Sequence, residues 1–123
     1  MTECFLTMKF NELYFVFLRR NKDFKSEENL DEESNGHFEF QRRLILENKM
    51  IFSGPLDGAG GLYFFDSNKI SKVDLEKELS NDPFVKIKMF LPEIHKFFLP
   101  KALFQIREKN IAEINEFFDS LIK

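Results

Sequence analysis

The stretch "GHFEFQRRLILENKMIFSGP", residues 36–55, decides how this chain folds. Its first half carries Phe40, Leu44 and Ile45 at the spacing of one helix face. His37 falls on the same stripe, three residues before Phe40 and seven before Leu44. Ser34 and Asn35 are good N-cap residues, so a helix is expected to begin there, with His37 in its first turn facing a sheet. Asn48 tolerates the left-handed backbone that ends helices. "KMIFS" (49–53) then reads as a strand closed by Gly54-Pro55.

Working outward, "LDGAGG" (56–61) is turn material rich in residues that accept positive φ, and "LYFFD" (62–66) is the next strand. The two strands should form an antiparallel hairpin. Upstream, "LYFVFL" (13–18) is a continuous apolar run that reads as a central strand, with Asn11 and Glu12 interrupting an alternating segment, "ECFLTMKF" (3–10), before it. The charged segment 19–35 reads as a solvated loop. Downstream, residues 71–81 predict a second helix, with Ser71 and Asp74 at capping-box spacing and Leu75 and Leu79 on one face. Pro83 ends it and forces Asp82 into an extended conformation. Residues 93–99 read as the last strand.

The order is β-α-β-β-α-β. The expected fold is therefore α+β and ferredoxin-like, two helices on one face of an antiparallel sheet. Its core spans about residues 13–99 of a single domain over 1–123. After Pro100, Ile111, Ile114, Phe118 and Leu121 recur every three or four residues, an amphipathic C-terminal helix that caps the domain or lies against a partner.

Composition narrows the function classes. A net charge of −3 gives a nucleic-acid role no electrostatic support. No apolar run approaches the roughly 20 residues that cross a bilayer, and no signal-peptide pattern opens the chain, so a cytoplasmic protein is expected. The single cysteine, Cys4, rules out an intrachain disulfide and reads as a packing residue. Seventeen phenylalanines without a tryptophan suggest apolar surface shared with a second copy. Phosphate-binding and dinucleotide glycine motifs and the nucleophile elbow are absent, and two distant histidines with one cysteine do not make a zinc site. No cofactor and no metal are expected.

The segments "HFEFQRRLILENKMIFSGP" (37–55), "DGAGGLYFF" (57–65) and "SNDPF" (80–84) resemble, in order and spacing, the YCII-related family. The resemblance covers roughly Leu13 to Leu99. It rests on His37, Ser53, Gly54, Pro55, Asp82, Pro83 and Phe84, with eighteen residues from His37 to Pro55. It implies a homodimeric α+β barrel and a His37–Asp82 dyad in a cleft. It also implies a small organic acid as ligand, processed by elimination or isomerisation. Three features lie outside it: the dozen residues before Leu13, the helix after Pro100, and "KIKMF" (86–90), where Lys88 would narrow a pocket or supply a cation.

The chemistry of the pair stands beside the resemblance. An ionised Asp82 accepts the proton of one imidazole nitrogen, fixes the tautomer and leaves the other nitrogen as a base. A helix first turn disfavours the imidazolium and a carboxylate favours it. Ser53, with Gly54 and Pro55, would hold a substrate oxygen. Two readings stay open: a lyase- or isomerase-type acid–base enzyme, and a non-catalytic ligand-binding or homodimeric assembly module in which His37 and Asp82 only tie two helices together. His95, in the last strand, and Tyr63, in the third, read as structural. Arg42 and Arg43 read as solvated.

Overall fold

A computed structural model of the chain describes residues 9–25, 29–57, 60–105 and 108–123. Cys4, most of the 3–10 segment, and Gly58 and Ala59 of the glycine-rich turn lie outside the described residues. The elements run β1 (Phe10–Arg20), α1 (Asp31–Leu46), β2 (Met50–Leu56), β3 (Gly60–Asp66), α2 (Lys72–Ser80), α3 (Pro83–Lys86), β4 (Phe90–Pro100) and α4 (Ile111–Leu121). The four strands form one antiparallel sheet in the order β2-β3-β1-β4. This α+β architecture is compatible with the ferredoxin-like expectation.

Several boundaries move. Asn11 and Glu12 do not interrupt β1 but belong to it, paired to Leu99 and Phe98. The last strand is longer than 93–99 and carries Pro92 and Pro100, tolerated because β4 is a sheet edge. Gly54-Pro55 does not close β2; both residues lie inside it, on the opposite edge of the sheet. Helix α1 begins at Asp31, one turn before Ser34 and Asn35. Asp31, Glu32 and Glu33 put negative charge on its first turn, and the Asn29 side chain accepts the Asp31 N–H at 2.8 Å. Residues that look like solvated loop are therefore the helix start, and His37 stands in the second turn.

The capping and pre-proline readings hold. Asn48 has φ 63°. Ser71 Oγ accepts the Asp74 N–H at 3.1 Å. Asp82 is extended (φ −63°, ψ 124°). Pro83 does more than stop α2, since it opens α3 as the first helical residue.

The helices cover one sheet face. Val16, Leu18, Tyr63 and Phe65 from the sheet pack with Phe40 and Leu44 of α1 and Leu75 and Leu79 of α2. The other face follows from strand alternation: Phe15 pairs with Phe64, and Phe64 with Phe52. Phe52 and Phe64 stack at 4.4 Å, and Phe97 adds an edge-on ring at 6.4 Å. Phe52 and Phe97 are each 42% exposed.

The C-terminal helix is pinned to α1. Lys123 N–H donates to Asn35 Oδ1 at 3.0 Å, and Arg42 bonds Asp119 at 2.6 Å. Lys109 Nζ donates to the Ile45 and Met50 carbonyls, both at 2.7 Å. Burial lowers the Lys109 pKa from its usual value. No helix among the described residues is long and apolar enough to cross a membrane.

Candidate functional site

Helix α1 and the α2–α3 junction meet at Gly36. A Cβ there would come within 2.8 Å of the Pro83 ring, closer than real Cβ atoms approach other atoms. The missing side chain lets α1 lie against Pro83, and this sets the next residue, His37, beside Asp82. The two side chains, 45 residues apart in sequence, meet with His37 Nδ1 2.9 Å from each carboxylate oxygen.

Asp82 is fully buried. Its charge is matched by several donors. Oδ1 accepts the Phe84 N–H at 3.0 Å as the N-cap of α3, and Oδ2 accepts the Tyr63 hydroxyl at 3.2 Å. The short helix thus owes its start to the residue that orients His37. Tyr63 is 2% exposed, and its pKa rises well above the ordinary 10.0. Burial is the main cause, and the neighbouring Asp82 charge adds to it. Tyr63 therefore stays a phenol and a donor to Asp82.

With Nδ1–H donated to Asp82, Nε2 of His37 is an acceptor. It takes the Gln41 side-chain N–H at 2.8 Å, and Gln41 Oε1 accepts the Ser53 hydroxyl at 2.8 Å. A continuous chain runs Asp82–His37–Gln41–Ser53, crossing from the helix junction to β2. Gln41 sits one turn after His37, so both point to the same place. Gln41 is not among the site residues expected from the sequence. The signal was its i+4 spacing from His37 on the buried stripe. Tyr63, read as structural, is buried as expected, but its hydroxyl belongs to the same network.

These groups line a partly open cavity of about 370 Å³. His37, Gln41, Ser53 and Tyr63 form its polar end, and Gly54, Pro55, Gly60 and Gly61 form one rim. Leu18, Phe38, Phe84 and Phe90 supply apolar wall, and the terminal helix adds Phe117 and Leu121. His37 retains 8% exposure and packs 4.6 Å from the Phe84 ring. Gly60 takes φ 102°, and a Cβ there would strike the Leu18 carbonyl oxygen at 1.8 Å, so the tight approach of β3 to β1 at this rim requires glycine.

Other residues lie elsewhere. His95 is exposed on the far sheet face, 6.0 Å from Phe15. Lys88 is exposed, has φ 61°, and is not in the cavity wall. Arg42 and Arg43 are not merely solvated: Arg42 bridges Glu39 and Asp119, and Arg43 pairs with Glu47 and Glu78. Among the described residues no three His, Cys, Asp or Glu side chains converge as a metal site would require.

No protein-family model matches this chain. No curated protein and no solved structure matches it either.

Proposed function

We propose that the chain is a small cofactor-free acid–base enzyme of the YCII-related type, working in the cytoplasm as a homodimer. It transfers a proton in the elimination or isomerisation of a small organic acid or a lactone-like relative. His37 is the base and then the acid, Asp82 orients it, and Ser53 with the Gly54 and Pro55 rim holds a substrate oxygen. The observation that carries this is the placement of one imidazole nitrogen on a buried carboxylate while the other lies at the polar end of a cavity. Acid–base catalysis from such a group is worth roughly 10²–10⁴ in rate. Proton exchange on a cavity-sized carbonyl compound, compared between wild type and His37→Gln, tests it.

The dimer belongs to the same proposal. The ring-covered sheet face, with Phe52 and Phe97 partly exposed, is what two facing sheets of an α+β barrel would bury.

One observation favours the non-catalytic reading. The Gln41 amide already occupies His37 Nε2 at 2.8 Å, a fully satisfied histidine that a purely structural strut would also show. A substrate must displace Gln41 before His37 can act.

A further inference from the structure

The cavity wall has a feature that bears on what it binds. No lysine or arginine is among its described lining residues. Behind His37 lies Asp82, fully buried and already matched by Tyr63 and the Phe84 N–H. A carboxylate entering the cavity would lose its water, meet no lysine or arginine among the described lining residues, and approach a like charge through one imidazole ring. Burying an unpaired ion is strongly unfavourable. The polar end instead offers neutral groups: the Ser53 hydroxyl and the Gln41 amide, each able to turn toward a ligand oxygen. The same cavity is lined by the rings of Phe38, Phe84 and Phe90, with Phe117 from the terminal helix. Phe84 and Phe90 meet edge to face at 5.6 Å, and both border the cavity. A volume of about 370 Å³ is at the small end of ligand pockets.

We infer that the ligand is an uncharged, flat aromatic or alicyclic carbonyl compound, such as an aryl lactone, and not a carboxylate. Its carbonyl oxygen takes the Ser53 hydroxyl and the Gln41 N–H, which frees His37 Nε2. Its ring lies among the phenylalanines. The terminal helix therefore contributes to specificity, because Phe117 and Leu121 complete the apolar wall. This sets aside the organic acid of the acid–base reading above, keeps its lactone-like relative as the substrate, and rests on that reading for the role of His37.

The test uses a matched pair: γ-phenyl-γ-butyrolactone and its ring-opened hydroxycarboxylate, titrated into the full chain near neutral pH by calorimetry. The His37 and Tyr63 ring signals in NMR spectra report the location. The lactone should bind at least about tenfold more tightly than the carboxylate and move both sets of signals. In Leu121→Lys, which places a cation in the wall, the preference should shrink or reverse. Equal or tighter binding of the carboxylate by wild type, binding of neither compound, or an unchanged ratio in Leu121→Lys would overturn the inference. Lactone binding retained without any proton exchange on an activated analogue would instead leave the ligand class standing and remove the catalytic reading.

Discussion

His37 Nδ1 sits 2.9 Å from both oxygens of Asp82, whose Oδ1 also caps helix α3 through the Phe84 N–H. One buried carboxylate thus does two things: it starts a helix and it sets a tautomer. Long-range proton–nitrogen NMR spectra should show His37 with its proton on Nδ1. Asp82→Ala should lose that preference and about 2–4 kcal/mol of stability, from the missing cap and the unmatched His37 and Tyr63 groups. A wild-type histidine protonated on Nε2 alone would contradict this arrangement.

Gly36 is a helix-interior glycine that ought to be improved by alanine, worth about 1 kcal/mol in an open helix. Here the added methyl would meet the Pro83 ring at 2.8 Å. The expected result for Gly36→Ala is a lower melting temperature, with the His37 ring resonances displaced. A melting temperature raised by the propensity gain would show that α1 and α3 do not approach so closely.

Tyr63 supplies a pH dependence whose sign can be worked out. Its folded pKa is raised well above 10.0, mainly by burial. Below the unfolded value both states hold the phenol proton and the contribution is fully present. As pH rises past 10.0, only the unfolded state releases it, so stability falls. Urea unfolding between about pH 9 and 11 should show wild type losing up to about 1.4 kcal/mol per pH unit more than Tyr63→Phe. Parallel curves for the two proteins would mean that Tyr63 ionises normally and is not held as a donor to Asp82.

The sheet face away from the helices is covered with phenylalanine rings, which the homodimer proposal uses. Sedimentation equilibrium at micromolar concentration should give a dimer for wild type and a monomer for Phe64→Glu combined with Phe97→Glu, with the helical circular dichroism kept. A monomeric wild type would remove the dimer from the account.

How much of this was legible in the sequence varies with the kind of signal. Periodicity carried furthest: the Phe40/Leu44 stripe, the Leu75/Leu79 face and the central run 13–18 fall on the elements where they were read. Element ends were less legible. The acidic run 31–33 looks like solvent-exposed loop, yet it complements the positive end of α1, so the helix starts a turn early. Gly54-Pro55 looks like a turn, yet an edge strand accepts a proline. At the site, His37 and Asp82 stood out as chemically competent residues near helix ends. Gln41 did not, because a glutamine in a helix is ordinary until its i−4 neighbour is a histidine with a free nitrogen. That no lysine or arginine is among the cavity's described lining residues could not be read at all, since Lys88 is near in sequence and its side chain is exposed elsewhere.

The central claim is that His37 moves a proton in the cavity. It is tested most directly with γ-phenyl-β,γ-butenolide in deuterated buffer. The proton between its carbonyl and alkene would pass to His37 Nε2, and a deuteron would return at the γ-carbon to give the conjugated lactone, with no other reactant consumed. The account predicts that wild type speeds deuterium uptake and isomerisation over buffer, and that His37→Gln loses roughly 10²-fold or more of that gain while still binding the saturated lactone. Equal rates for wild type, His37→Gln and buffer, with lactone bound in the cavity, would show His37 to be a strut between two helices.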